Sequence, residues 1–441
     1  MDGLKLKEQV ELIRQVFGYV TNFNGKIFVI NIDSKIMLDP LFPVLVKDLV
    51  LLKKIGIKIV LVPGASKRID EILTQYGIPW EHVDGIRITA PEAMPFVKMA
   101  AFDVSNMLMT LLAENKTDAV IGNWVRARGI GIRQGVDFRS AGRVDKLKLD
   151  IIRNVLDQGL VPIFPNIGWN VGGRPYNISS VELATTISRH LLAEKLFFVT
   201  GPEYISSGSY RLPDGVDVKE DGKASRLTLA EAGKFLESNV GQGSRCLLEL
   251  VSRACSACQA GVKRVHIIDG GVEGVILKEI FSNRGIGTMI YTDEHSNIRP
   301  MIHSDIPEVL RIMQPLVEKE ILIPRTDKTL EAQCADFVVY EVDGIVHASG
   351  ALHQFGGGKG EIAGLAVDET YSNLGIGQKI VSYLVEQAKE QNLEQIFALT
   401  TQTFDWFLQL GFRRGTKAQL PTDKLDKFDS KRNSVILFYD L

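Results

Sequence analysis

The stretch Glu361-Ile362-Ala363-Gly364-Leu365-Ala366-Val367, followed after three residues by Tyr371-Ser372-Asn373-Leu374-Gly375-Ile376-Gly377, decides how the C-terminal part of this chain folds. It reads as a buried strand, a tight glycine turn and the start of a helix. Such a turn presents bare backbone N–H groups to a phosphate, and the dipole of the helix favours the negative charge. The helix is amphipathic, because Ile376, Ile380, Leu384 and Ala388 share one face. The turn lies near the end of the chain, so it cannot open the large N-terminal half.

Working outward, 441 residues exceed one ordinary core and predict two or three domains. A hydrophobic content of 45% with frequent glycine is that of an α/β protein. The formal charge is -2 with acids and bases interleaved, so no nucleic-acid partner is expected. Lys146-Leu147-Lys148 and Arg413-Arg414 read as solvated faces. Charges occupy the N-terminus where a signal peptide needs an apolar run. No stretch reads as the ~20 apolar residues needed to cross a bilayer, and no membrane partner is expected. Cys255 and Cys258 fall within a helix predicted over 247–259, with no second cysteine pair or paired histidines. They read as small buried thiols, so no metal is expected, and a reducing cytoplasmic location fits.

Leu6, Val10, Ile13, Phe17 and Val20 form a helical stripe ahead of the first strand. It covers either the chain's own core or a neighbouring subunit. Strands are predicted at 26–32, 58–62, 160–164, 196–200, 262–268 and 289–291. Helices are predicted at 41–54, 90–114 and 179–192 and up to 281. This alternation implies a mostly parallel sheet covered by helices on both faces. The glycine-rich stretch 123–143 reads as an inserted hairpin. The polar segment 292–297 is the best domain boundary. Beyond it come a strand at 298–302, a helix at 305–317 and a meander of strands at 337–341, 344–353 and 361–367. A helix at 375–391, a strand at 395–399, a short helix around Trp406 and a last strand at 434–439 complete the chain.

Glu361, at the start of its strand, is the candidate general base for deprotonating an amine. Arg325 and Arg432, with Ser434 two residues on, are candidate anchors for a carboxylate-bearing acceptor. The strand order and glycine turn resemble the GNAT acetyltransferases. That resemblance implies acetyl-CoA as co-substrate, with its pyrophosphate on the backbone of Leu374, Gly375, Ile376 and Gly377. Its thioester oxygen would lie near the N–H groups of Ala366 and Val367. Ser372 stands where the family usually has Arg or Gln, and Phe407 where it often has tyrosine. Thr400, Thr401 and Asp405 remain open as the general acid.

The first 290 or so residues resemble an amino-acid kinase of the acetylglutamate kinase type. The resemblance is carried by Gly25 to Ile30, Val62-Pro63-Gly64-Ala65, Gly85-Ile86-Arg87-Ile88-Thr89 and Gly135-Val136-Asp137-Phe138. Further matches are Tyr176-Asn177-Ile178-Ser179-Ser180, Ala193-Glu194-Lys195-Leu196, His266-Ile267-Ile268-Asp269-Gly270, Leu277 to Phe281 and Gly285-Ile286-Gly287-Thr288. Where active kinases carry a phosphate-binding lysine and glycines, this chain has Asn31-Ile32-Asp33-Ser34. Val181 replaces an aspartate that organises a catalytic lysine, and Lys195 reads as that lysine's survivor. Kinase chemistry is therefore expected to be lost.

A kinase-like half joined to a GNAT half resembles the bacterial N-acetylglutamate synthases. This implies an oligomerisation helix at 1–24, a silent regulatory domain at 25–292 and an acetyltransferase domain at 298–441. It also implies acetyl transfer from acetyl-CoA to L-glutamate, giving N-acetyl-L-glutamate and CoA for arginine biosynthesis. Arg325, Arg432 and Ser434 would hold glutamate, and Glu361 would deprotonate it. By resemblance to arginine-sensitive kinases, L-arginine is an expected effector, with a site at Tyr19, His266, Glu279, Gly285 and Gly287, in a homo-oligomer. Gly271 stands where those kinases usually have arginine. Alternatives are a bifunctional synthase and kinase, a non-enzymatic arginine and acetyl-CoA sensor, and a GNAT enzyme for another acidic acceptor.

Overall fold

The structure is a computed structural model. It describes all residues except 1–19, 21, 217, 220, 282–284, 293–297, 343–344, 370–374, 426–427 and 429–431. Most of the expected N-terminal helix, Tyr19 included, and Leu374 of the glycine turn therefore lie outside the described residues. The chain divides into two compact units, Met1–Asp293 and Glu294–Leu441.

The first unit grows from apolar runs too short for helices and too apolar for one-sided strands. β1 (Ile27–Ile32) and β2 (Lys58–Pro63) are buried at every position but the first, as strands covered on both faces must be. They pair in parallel from Ile27↔Lys58 to Ile32↔Pro63. Around them lie β3 (Ala119–Ile121), β4 (Val161–Ile163), β5 (Lys195–Thr200), β6 (Arg226–Thr228), β7 (Arg264–Asp269) and β8 (Thr288–Tyr291). The order is β6-β8-β7-β5-β1-β2-β4-β3. Every pair is parallel except β7 with β8.

The covering helices include α1 (Phe42–Lys54), α2 (Ser66–Gln75), α3 (Met94–Glu114), α4 (Ser180–Leu191), α5 (Arg245–Gln259) and α6 (Val275–Phe281). Ser179 caps α4 by accepting from the Glu182 N–H at 3.3 Å, and Leu192 ends it in the left-handed region at φ 51°. Cys255 and Cys258 are buried on α5, where the Cys258 thiol donates to the Ile290 carbonyl at 3.6 Å.

Two expectations change here. The stretch 123–143 is more than a hairpin. Val125–Gly129 and Ala141–Leu147 close into a four-stranded barrel with Ile167–Trp169 and Pro175–Ile178. The last two strands arrive only after an intervening helix, Leu149–Asp157, so no local pattern joins them to the first two. Gly168 sits where a Cβ would lie 2.6 Å from Ile178 and 2.7 Å from Ala127, so the barrel interior has no room for a side chain there. In addition, the 24-residue helical stretch Pro91–Glu114 is long and apolar enough by composition to cross a membrane, contrary to the reading of the sequence. Its Val97, Ala100, Val104, Leu108 and Leu112 are buried within the unit, and it packs against α1 and α2.

The second unit is a seven-stranded sheet. Its strands are β9 (Ile298–Pro300), β10 (Phe337–Val342), β11 (Ile345–Phe355), β12 (Lys359–Val367), β13 (Gln395–Thr400), β14 (Arg413–Arg414) and β15 (Val435–Asp440), in the order β9-β10-β11-β12-β13-β15-β14. The helices are α7 (Ile306–Glu318), α8 (Asp327–Ala332), α9 (Ile376–Glu390), α10 (Phe404–Gln409) and α11 (Thr422–Leu425). α9 buries Ile376, Ile380, Leu384 and Ala388 against Val338, Ile362 and Ile396. Leu384 has no exposed surface, so Leu384→Ala should cost this unit about 2–5 kcal/mol. Urea unfolding of the full chain followed by tryptophan fluorescence measures this, and a loss under about 1 kcal/mol would contradict the packing of α9 on the sheet.

Candidate functional site

β12 and β13 pair in parallel only from Lys359↔Gln395 to Ile362↔Ala398. After that, β12 continues along β11 to Ala348↔Val367, while β13 continues along β15 to Thr400↔Val435. The two strands part, and backbone groups of residues 363–367 face a gap. Asp368 donates its N–H to the His347 carbonyl at 2.8 Å. By strand alternation the Ala366 N–H also faces β11, while the Val367 N–H faces the gap. Of the two residues expected near a thioester, Val367 therefore offers a donor, while the N–H and the carbonyl of Ala366 both face β11.

Below the gap, α9 begins with Gly375 as its N-cap at φ +66°, a conformation that favours glycine. The first-turn N–H groups from Ile376 onward have no acceptor within the helix. A Cβ on Gly375 would meet nothing within 4 Å, and one on Gly377 would lie 3.3 Å from Trp406. This open backbone surface suits a pyrophosphate.

On the other side of the parted strands is a cavity of about 430 Å³. Glu361, Arg325, Arg432 and Ser434 all line it, although 109 residues of sequence separate Arg325 from Ser434. Glu361 is 6% exposed, and both its oxygens accept from the Lys424 ammonium at 2.6 Å. Arg325 lies over the Phe337 ring, 5.0 Å from its centroid. Burial lowers its pKa, opposed by the nearby Glu361. Arg432 donates to the carbonyls of Glu320 and Ile321 at 2.9 and 3.3 Å, which ties it to the turn leading to Arg325. Gly364 sits at φ +59° where β12 bulges against β11, and a Cβ there would overlap the Arg325 guanidinium.

Four polar lining residues escaped the reading of the sequence: Gln333, Asp336, His353 and Lys424. Only the register could have found His353, which pairs directly with Glu361. Lys424 lies in a four-residue helix with no periodic signal. Of the acid candidates, Thr400 shares its hydroxyl with Thr403 at 2.7 Å, and the buried Thr401 hydroxyl has no partner. Phe407 is core.

In the first unit, a cavity of about 570 Å³ lies past the C-terminal ends of β1 and β2, the usual ligand crevice of such sheets. It is lined by Asp33, Ser34, Gly64 and Arg87, among others, and among the described residues no lysine lines it. Asn31 is buried and donates to the Val62 carbonyl at 2.9 Å. Lys195 is not the remnant of a catalytic lysine. It opens β5, so a six-residue strand, about 20 Å, separates it from the crevice. It is 2% exposed, its ammonium lies 4.7 Å from the Phe23 ring centroid, and burial holds its pKa well below the usual lysine value.

Near that same end of the sheet, His266, Glu279, Gly285 and Gly287 come together. His266 stacks on Phe197 with centroids 4.7 Å apart. Its Nδ1 meets Glu279 at 2.8 Å, and the other Glu279 oxygen accepts from the N–H of Ile286 at 2.6 Å and of Gly287 at 2.9 Å. Lys219 donates to the Gly285 carbonyl at 3.0 Å. Burial pushes His266 down to about 4, against its bond to Glu279. Burial alone would raise Glu279, but the bonds from His266, Gly287 and Ile286 outweigh it and hold the carboxyl at about 2. Among the described residues no group of three or more His, Cys, Asp or Glu is placed to hold a metal ion.

Residues 26–269 match the amino acid kinase family and residues 306–412 the acetyltransferase (GNAT) family. The chain is 30% identical over 446 residues to an amino-acid acetyltransferase of Mannheimia succiniciproducens, covering 99% of both. It is 32% identical to one of Photobacterium profundum, covering 97% of each. Among solved structures, it is similar to N-acetylglutamate synthase from Neisseria gonorrhoeae complexed with coenzyme A and L-arginine, at 29% identity and a TM-score of 0.81, over 98% of this chain and 99% of that one. The same enzyme complexed with coenzyme A and N-acetyl-glutamate matches at 30% identity and a TM-score of 0.62 over the same shares. An amino-acid-kinase fold followed by a GNAT fold with an amine-sized cavity at its parted strands defines an acyltransferase. The chain belongs to the amino-acid acetyltransferase family.

Two tests follow. Gly364→Ala should displace Arg325 and raise the acceptor KM about tenfold or more with little change in KM for the acyl donor; equal KM values would exclude the contact. For the His266–Glu279 pair, both folded pKa values lie below their ordinary values of 6.5 and 4.5. Their stabilisation is full above those ordinary values and is lost as pH falls, through His266 from 6.5 towards about 4 and then through Glu279 from 4.5 towards about 2. The Tm should therefore fall on acidification below pH 6.5, and His266→Gln should flatten the upper part of that slope. An identical slope in the variant would exclude His266 as its source.

Proposed function

We propose that the C-terminal unit transfers the acetyl group of acetyl-CoA to the α-amino group of L-glutamate, giving N-acetyl-L-glutamate and CoA. We further propose that L-arginine regulates the reaction through the first unit. The observation that carries the reading is the meeting of Glu361, Arg325, Arg432 and Ser434 in one cavity beside the parted strands. A dicarboxylic amino acid needs two cationic anchors, and its ammonium needs a base between them. Arg325 and Arg432 bind the carboxylates, and Ser434 adds a hydroxyl donor. Lys424 keeps the Glu361 carboxylate in place until the acceptor ammonium arrives. Glu361 then takes the ammonium proton and frees the lone pair for attack on the thioester carbonyl.

The Val367 N–H, on the gap side of β12, stabilises the oxyanion as it develops in this reading. The first turn of α9 takes the pyrophosphate, and its backbone donors do not depend on the missing side chain at Ser372. The complexes of the similar gonococcal enzyme with coenzyme A, L-arginine and N-acetyl-glutamate support this reading. Arginine regulation requires the effector to bind two conformations unequally. The corner built by His266, Glu279 and the 285–287 loop is the proposed site, with Glu279 acting by holding the loop whose carbonyls meet the guanidinium. The first unit is proposed to be inactive as a kinase, supported by the absence of lysine from its crevice lining and by Asn31 being spent on β2.

Glu361→Gln should lower kcat by about 100-fold or more with acetyl-CoA binding intact. Arg432→Ala should raise the glutamate KM before it disturbs acetyl-CoA. Release of CoA across amino-acid acceptors, with and without L-arginine, tests substrate and regulation together; indifference to glutamate would sink the reading. Phosphorylation of N-acetylglutamate from MgATP should be undetectable.

A further inference from the structure

His353 and Asp336 lie in the acceptor cavity without a role in the chemistry so far. His353 is the cross-strand partner of Glu361 in the β11–β12 pairing, so the two side chains leave the same face of the sheet with Cβ atoms about 5 Å apart. The His353 Nδ1 lies 2.7 Å from an Asp336 carboxylate oxygen. An ionised carboxylate only accepts, so in the neutral imidazole Nδ1 carries the proton and Nε2 keeps its lone pair. Exposure rises along the series: the side chains of Glu361, His353 and Asp336 are 7%, 14% and 43% exposed. Phe337 meets the imidazole edge-on at 6.1 Å between centroids and helps fix its plane.

The charged and polar groups facing this cavity are Arg325, Gln333, Asp336, Glu361, Lys424 and Arg432, with Ser434. Arginine and lysine only donate, and the amide and hydroxyl do not titrate near neutral pH. Among these described groups, the His353 imidazole is the only one besides the two carboxylates with a basic lone pair to receive a proton.

We propose that His353, oriented by Asp336, carries the acceptor's proton from Glu361 to solvent. The inference rests on the reading of Glu361 as the base. An N–H bond of the acceptor ammonium breaks as an O–H bond forms on Glu361. That O–H bond then breaks as Nε2 of His353 gains the proton, directly or through one water, and the Asp336 carboxylate balances the imidazolium. The imidazolium loses the proton to water at its exposed edge, which restores Glu361 as a carboxylate for the next turnover. His353 acts through Glu361 and is a positioning and relay residue.

The test uses the full chain with His353→Gln, His353→Ala and Asp336→Asn, and with Glu361→Gln alongside. His353→Gln should lower kcat about tenfold to 100-fold with both KM values within about twofold of the native protein, and Asp336→Asn should do the same more weakly. The acid-side limb of the native kcat/KM–pH profile should disappear in His353→Gln. Added imidazole should restore part of the turnover of His353→Ala, but none of that of Glu361→Gln. Unchanged turnover, a loss confined to the acceptor KM, or a loss with no response to imidazole and an unchanged pH profile would each overturn the relay. If Glu361→Gln turns over normally, the reading of the base itself fails, and that result is distinct from a failure of His353.

Discussion

The four residue pairs that join β12 to β13, and the absence of a fifth, are the constraint on which the second unit's chemistry depends. A central strand that loses its neighbour leaves N–H and C=O groups that must find other partners. Here the sheet has already buried those positions, so a ligand that lies between the strands is the natural partner. The same parting opens the two sides of the site. One side leads to the N-terminus of α9, the other to the cavity with Glu361 and its arginines. The bulge at Gly364 completes the arrangement, because it turns β12 just where the Arg325 guanidinium needs room.

The fold of the first unit does not rest on a phosphate site. Its sheet is held by buried strands, β5 throughout and β1 and β2 at all but their first residue, and none of that burial depends on a phosphate-binding lysine. Asn31 has turned its side chain onto the neighbouring strand, and Asp33 accepts the Lys35 N–H at 2.8 Å. Both substitutions satisfy polar groups locally and cost the scaffold little. At the other end of the sheet, one buried carboxylate ties a strand, a helix and a loop together. Glu279 receives bonds from His266 on β7 and from the loop that leads into β8. Movement of that loop must therefore be felt at β7.

Wherever burial alone chooses the element, the sequence was legible. Six of the eight strands of the main sheet and the amphipathic faces of α4 and α9 lie within a residue or two of where periodicity put them, while the three-residue strands β3 and β6 are too short to leave a pattern. That Glu361, Arg325, Arg432 and Ser434 line one cavity was expected only through the resemblance, a long-range relation that spacing cannot supply. The residues missed are those whose role depends on three dimensions. His353 becomes visible only through the pairing of β11 with β12, and Lys424 only through the return of a short helix to Glu361. The barrel was hidden because its strands come in two sets separated by a helix. Lys195 was misplaced because a motif names a strand without saying which end of it faces the crevice.

The wall chemistry of the acceptor cavity has a consequence for selectivity. Three fixed cations, Arg325, Lys424 and Arg432, face two carboxylates, Glu361 and Asp336. The surplus is positive, and Arg325 is buried where water screens it poorly. An amine that arrives with additional positive charge, such as a polyamine or a lysine-rich peptide tail, meets repulsion before it reaches the base. A zwitterion with one extra carboxylate is drawn in. The sign of these walls favours small acidic acceptors over cationic ones, which supports the proposed function.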